Sequence, residues 1–312
     1  MKYRKDLPQL SGEMFLADGG LETTLVFHEG CELPLFAAIV LLEDEGGTAA
    51  LRRYYEPYAE LARERGAGIV LDTPTWRAGP RWADDLGYPT ERFVELNRMG
   101  VDLVEEIRES YETDETPIIV NGAIGPQDDG YNPSQIMSAD QAREYHSTQV
   151  ETFADTAADM VSAITMTYVD EAIGITKASQ DAGIPVVISF TVETDGKLPS
   201  GQPLGDAITT VDEATAHGPA YYMINCAHPT HFDDVVSESG EWGERIRGLR
   251  ANASTMSHAE LDEAEELDPG DPADLGARYN ALRTDLPNLN VVGGCCGTDH
   301  RHVRAIAEAW GQ

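Results

Sequence analysis

The sequence predicts a single closed (β/α)8 barrel over residues 1–312. Three observations lead there. Short apolar runs alternate with helical patterns, and strands lacking polar alternation belong to a parallel sheet covered on both faces. Eight such units in 312 residues fit one closed barrel better than two open sheets. The residues able to do chemistry fall at the exits of the runs, the end of such a barrel where active sites are built.

The elements follow in order. After a polar leader, residues 14–17 form the first strand, which ends at Asp18-Gly19-Gly20. A helical period covers 49–65, and Pro57 should kink or restart it, because proline lacks the backbone donor. The second strand, 67–72, exits into Thr73-Pro74-Thr75-Trp76. An amphipathic helix at 90–111 precedes the third strand, 117–122, which carries Asn121 near its exit. Ser138 with Gln141 three residues on is a capping box for a helix reaching about 158. The fourth strand is 159–165, and the helix after it is 169–182. The fifth, 184–190, exits at Thr191-Val192-Glu193, and a helix at 206–216 leads to the sixth, 221–225, which stops at Cys226. A weak seventh strand at 246–251 exits at Asn252. Helix 274–283, strand 288–292 and helix 299–310 complete the count. The acidic stretch 260–274, with Pro269, Gly270 and Pro272, reads as an exposed excursion.

Net charge is −33 and the pI about 4.3, with lysine only at positions 2, 5, 177 and 197. Such a field opposes nucleic acid and anionic membranes. The acids are dispersed, which reads as a solvated surface suited to a high-salt cytoplasm, where screening relieves self-repulsion. No apolar run approaches the roughly 20 residues of a membrane span. The basic start, Lys2 to Lys5, continues into Asp6 rather than an apolar signal core, so a cytoplasmic protein is expected. Four cysteines without a dense framework suit a reducing compartment. Oligomeric state is not written in the pattern.

Gly293-Gly294-Cys295-Cys296-Gly297-Thr298 is the most informative stretch. Adjacent cysteines in a regular strand point to opposite faces. Aiming both sulfurs at one point requires a sharp turn, and Gly293, Gly294 and Gly297 offer the needed backbone freedom. Cys226 sits at another strand exit, one strand away in a barrel. Three thiols so placed suggest a catalytic metal site with an open fourth position. Two other readings stand beside it: small buried cysteines, or a vicinal disulfide between Cys295 and Cys296. His228, His231 and His258 near strand exits could line the mouth, although lone histidines more often pack or face solvent. Trp76 could stack on a cationic ligand or simply wall the pocket. Cys31 reads as unpaired and structural.

Four segments resemble one family, the homocysteine S-methyltransferases. Ala17-Asp18-Gly19-Gly20 resembles its first-strand motif, and Asn121-Gly122-Ala123-Ile124-Gly125-Pro126 its third-strand segment. Ile224-Asn225-Cys226 and the Gly293–Thr298 stretch resemble its two cysteine motifs. The resemblance implies a zinc-dependent (β/α)8 barrel in which Cys226, Cys295 and Cys296 bind Zn2+. It places Asp18 and Asn225 beside the substrate as catalytic residues. Thr73, Asn121, Glu193 and Asn252, at the other strand exits, are the expected substrate-binding set. The partners implied are a small-molecule thiol, homocysteine in the family, and a methyl donor, with no nucleic acid and no membrane. In one respect the chain departs from the family, whose fourth strand ends in a glutamate that holds the amino group of homocysteine. Here Ile164-Thr165 occupies that place. Glu193 on the neighbouring strand is either its replacement or an exposed loop acid. A small sulfonium donor, such as S-methylmethionine or S-adenosylmethionine, is expected, since neither a cobalamin module nor the longer C-terminal extension of the betaine-using branch is present. The alternative is a zinc-holding barrel that acts on another thiol or senses thiols without turnover.

Overall fold

Eight parallel strands close on themselves in chain order, each hydrogen-bonded to the next and the last to the first. The computed structural model describes residues 1–131, 133–264 and 266–311. The strands are β1 Phe15–Ala17, β2 Gly68–Asp72, β3 Ile118–Ile124, β4 Met160–Met166, β5 Val186–Phe190, β6 Tyr222–Asn225, β7 Ile246–Ala251 and β8 Val291–Gly294. The predicted (β/α)8 barrel is therefore the fold. The main helices between strands bury their apolar stripes on the outer face, as the short, wholly buried strands require. No helix among the described residues is long and apolar enough to cross a membrane.

Three boundaries differ from the sequence pattern for identifiable reasons. The helix after β1 runs unbroken from Glu45 to Arg65 through Pro57. Asp44 caps its start by accepting from the Gly47 N–H, and Gly66 ends it in the left-handed conformation. Tyr54, Tyr55, Tyr58, Ala59, Leu61 and Ala62 are buried along one face, and that burial outweighs the roughly 3 kcal/mol cost of an interior proline. β3 continues to Ile124, so Asn121 lies in the middle of the strand rather than at its exit. β8 includes Gly293 and Gly294, moving the chain reversal to the cysteines themselves.

The barrel interior has two layers. Val70, Ile119, Met160, Val187, Met223 and Val291 form an apolar cluster together with Leu7 from the N-terminal leader. Two residues farther along most of these strands the inward positions turn polar: Asp72, Asn121, Ser162, Ser189 and Asn225, joined by Arg250 of β7. Buried polar groups must be hydrogen-bonded, and here they bond one another. The Asn121 amide donates to Asp72 Oδ1 at 2.6 Å, Ser162 donates to Asn121 Oδ1 at 3.1 Å, and Ser189 donates to Asn225 Oδ1 at 2.6 Å. This polar layer is the platform on which the site stands.

The surface carries ion pairs such as Arg53–Glu29, Arg92–Glu43 and Arg304–Glu64, all partly solvated. Exposed pairs contribute about 0–1 kcal/mol each and weaken in salt, whereas the repulsion of a net −33 charge is shared by the whole molecule. Raising salt from about 0.1 M to about 1 M shortens the screening length from about 10 Å to 3 Å. The thermal midpoint is therefore expected to rise by several degrees across that range. A flat midpoint would remove the high-salt reading.

Candidate active site

The paired cysteines converge through a tight turn. Gly294 still donates to Asp18 O of the β1 exit at 2.9 Å, and Cys295 to Ala251 O of β7 at 2.8 Å. The chain then reverses: the Thr298 N–H closes back on Cys295 O at 3.1 Å, with Gly297 at φ 78°. Only Gly297 uses the left-handed freedom expected of all three glycines. Gly293 and Gly294 are required for close approach instead. A Cβ at Gly293 would lie 2.7 Å from Ala17 Cβ, and one at Gly294 would collide with the Thr298 hydroxyl.

Cys226 reaches the same point from β6 by a different device. It is itself in the left-handed region, at φ 53°, and so is Thr165 at φ 66°. A left-handed residue that is not glycine costs on the order of 1–3 kcal/mol and persists only where its surroundings hold it. Asn225 holds Thr165 by accepting from its N–H at 3.0 Å and donating to its hydroxyl at 2.8 Å. The Cys226 carbonyl accepts from the Asn252 amide at 3.0 Å and meets His258 Nε2 at 2.6 Å. As a result the three sulfurs lie within 4.8 Å of one another, with Cys226 2.7 Å from Cys295 and 3.7 Å from Cys296. All four cysteines stand as free thiols in this structure, with no bond between Cys295 and Cys296. Contact with the Cys226 and Cys296 thiols draws Cys295 well below the ordinary thiol value, and the same contact pushes Cys226 well above it. Three converging thiols are a soft donor set for a metal ion.

Above the sulfurs opens a cavity of about 410 Å³ at the C-terminal end of the barrel. Its walls include Trp76, Tyr131, Phe27, Phe36 and Ile164, and its polar lining includes Asp18, Glu22, Asp72, Thr73, Arg250 and the three cysteines. Arg250 is buried and bridges Asp18 and Asp72, also donating to Gly294 O at 3.2 Å. Burial pushes the Asp18 carboxyl up to about 7, against the Arg250 charge and with a further push from Asp72. The Tyr131 hydroxyl stands 3.3 Å from Cys226 Sγ and 3.6 Å from Cys296 Sγ, its ring stacked on His258.

The expected site residues separate by position. Asp18, Thr73, Cys226, Cys295 and Cys296 line the cavity. Asn225 lies beneath it, its amide 3.9 Å from Cys295 Sγ. Asn121, Asn252 and Glu193 are not part of the lining. Asn121 is consumed by the polar layer, and Asn252 by the Cys226 carbonyl. Glu193 lies 3.1 Å from His258 Nδ1, so it supports the histidine that holds Cys226 rather than facing a ligand. His228 and His231 bond locally, to Thr230 and to Thr255 O, outside the lining. Burial, with Arg278 nearby, lowers His228 to about 4. Trp76 is a wall whose indole donates to Ile164 O at 3.3 Å and whose ring is covered by Arg77. Cys31 packs against the outer core. The excursion after β7 is largely exposed, as expected, but Leu261 and Leu267 from it reach the cavity rim.

Several lining residues escaped the sequence reading, four of them polar groups close to the cysteines or beneath the cavity. Arg250 and Asp72 had a signal, a charge at an inward strand position; Tyr131 and Glu22, in a loop and a short helix, had none.

Comparison with known proteins agrees with this geometry. The family profile described as "Homocysteine S-methyltransferase" matches residues 15–310. Betaine–homocysteine S-methyltransferase 1 of Rattus norvegicus is 27% identical over 278 residues, covering 81% of this chain. The chain spans only 64% of that relative's length. Homocysteine S-methyltransferase 4 of Zea mays is 22% identical over 320 residues, covering 96% of this chain and 90% of the relative. Among solved structures, the Escherichia coli homocysteine methyltransferase MmuM in its oxidized form superposes with a TM-score of 0.77, at 19% identity and 99% coverage of both chains. Its metallated form gives 0.72 over 95% of this chain and 96% of that one.

Proposed function

The chain belongs to the homocysteine S-methyltransferase family, and on that premise we propose that it is a zinc-dependent methyltransferase. It would move a methyl group from a sulfonium or quaternary ammonium donor to a thiol, homocysteine being converted to methionine. One observation carries the reading: Cys226, Cys295 and Cys296 converge on the floor of an aromatic-walled, acid-lined cavity. Zinc held by these three residues would keep a thiol substrate ionised at neutral pH, where an ordinary thiol of pKa about 8.5 is mostly protonated.

The chain's own residues supply the rest. Asn252 and His258 hold the carbonyl of the strained Cys226, and Asn225 holds the strained Thr165. Asp18 and Arg250 form a buried ion pair under the cavity, setting the position of the β1 and β7 exits. Trp76, Tyr131 and Phe36 exclude water from much of the wall. Exclusion matters because the reaction destroys charge. The new bond joins the methyl carbon to the thiolate sulfur, while the bond from that carbon to the donor's cationic centre breaks and leaves a neutral sulfide or amine. Anion and cation both disappear, so a site less polar than water favours the transition state, provided it holds the reactants in line. The acids of the lining favour entry of a cationic donor.

The test is methionine formation from homocysteine by the zinc-loaded protein, with S-methylmethionine, S-adenosylmethionine and betaine offered separately. Turnover is expected with a sulfonium donor. Thiol binding without turnover on any of the three would replace the enzyme by a thiol-binding barrel.

A further inference from the structure

We propose that Glu22 is the residue that holds the positively charged group of a bound substrate beside the cysteines, and so determines which substrates are read. The assignment rests on the thiol methyltransferase reading.

The other acids of the cavity are engaged or solvated. Asp18 and Asp72 share Arg250. Asp129 is 3.7 Å from Arg77, and Asp268 accepts from the Gly270 N–H at 3.0 Å. Asp262 and Glu266 are exposed at the rim. Glu22 differs from all of them: its side chain is half-buried in the lining, and among the described residues its one hydrogen-bond donor is its own backbone N–H. Burial pushes this carboxyl up to about 7; the charges of Arg77 and Arg250, neither within ion-pair distance, lower it less than burial raises it, so it has no direct counter-charge among the described residues. A cation delivered by a ligand would supply one.

Its position is also fixed relative to the sulfurs. Gly20 donates to Thr298 O at 3.0 Å, and the Thr23 hydroxyl accepts from the Gly297 N–H at 3.2 Å. A Cβ at Gly20 would lie 2.5 Å from Cys295 O. The turn that carries Glu22 is thus locked onto the turn that carries the cysteines. Ile164, at the exit of β4, gives the cavity no charge, and Glu193 is turned to His258. Two cationic groups fit such an anchor: the ammonium of an amino-acid thiol, or the cationic centre of the methyl donor.

The experiment compares native protein with E22Q, both zinc-loaded and checked for equal thermal midpoints. E22A, which also removes the charge, replaces E22Q if the amide does not fold. Calorimetry gives Kd for homocysteine and for its desamino analogue 4-mercaptobutanoate; steady-state kinetics give KM for S-methylmethionine. Losing a charge-assisted bond weakens binding about tenfold to a hundredfold. If the acceptor is the source, native protein prefers homocysteine by that factor and E22Q loses the preference. If the donor is the source, KM for S-methylmethionine rises by that factor and the thiol preference is unchanged. Unchanged thiol preference together with unchanged donor KM overturns the assignment while leaving the methyltransferase reading intact. Failure of native protein to bind any thiol overturns both.

Discussion

Replacing Cys226 by serine is expected to cost zinc and methyl transfer together, whereas Cys31→Ser keeps both. Cys226 contributes one of three thiols that meet within 4.8 Å, and Cys31 packs elsewhere, against the outer core. Four-ligand zinc sites bind with apparent energies of about 10–16 kcal/mol. Shared among the ligands, that is roughly 3 kcal/mol each, so losing one thiolate weakens binding by more than about a hundredfold. After dialysis against a chelator, native protein should retain about one zinc per chain and C226S well under half of one. Activity should fall in parallel, and C295S and C296S should behave alike, because all three sulfurs face the same point. Native turnover surviving complete removal of metal would sink the role of zinc. Loss of activity in C226S with full zinc retained would instead confine Cys226 to holding the loop.

The fold was legible because most strands are short, largely apolar and followed by a helical period. A parallel barrel imposes that pattern through burial on both faces. The cysteines were legible because a pair of adjacent thiols flanked by glycines has few structural uses. Less was visible in the residues around them. Asn121 and Asn252 stand near strand exits in sequence, yet the inward layer takes up Asn121 and the Cys226 carbonyl takes up Asn252. Deciding between a ligand-facing amide and a buried one needs the strand length, and β3 ran two residues past its expected end. Glu193 was open to two readings, a replacement for the missing glutamate or an exposed loop acid, and it lies instead 3.1 Å from a ring nitrogen of His258, 65 residues away. The left-handed backbone at Thr165 and Cys226 had no signal at all, since neither residue type favours it. Such strain is set by tertiary contacts, here Asn225 at Thr165 and Asn252 with His258 at Cys226, and a residue-by-residue reading does not register it.

Arg250→Met is expected to destabilise the protein severely, and more so as pH rises. Arg250 is buried and is the charge partner of both Asp18 and Asp72. Methionine fills similar volume but leaves two buried carboxylates facing each other without a cation. Breaking a buried ion pair from one side costs about 3–5 kcal/mol, which in a chain of this size lowers the thermal midpoint by on the order of 10 °C. The pH dependence follows from Asp18. Its folded pKa is raised from 3.8 to about 7, so the folded state binds this proton more tightly than the unfolded chain does. Stability linked to that proton is present at low pH and is lost as pH climbs through about 7. Removing Arg250 takes away the charge that lowers Asp18 and so raises that carboxyl further. R250M should therefore lie nearest to native at pH 5 and farthest from it at pH 8. Adding D18N and D72N to R250M removes the stranded charges, and the triple variant should be more stable at pH 8 than R250M alone, because the cost lies in the unpaired acids rather than in the lost arginine. Denaturation of the three proteins at both pH values measures all of this. An R250M midpoint within about two degrees of native at pH 8 would mean that water reaches Asp18 and Asp72, and that the ion pair under the cavity does not hold the site together.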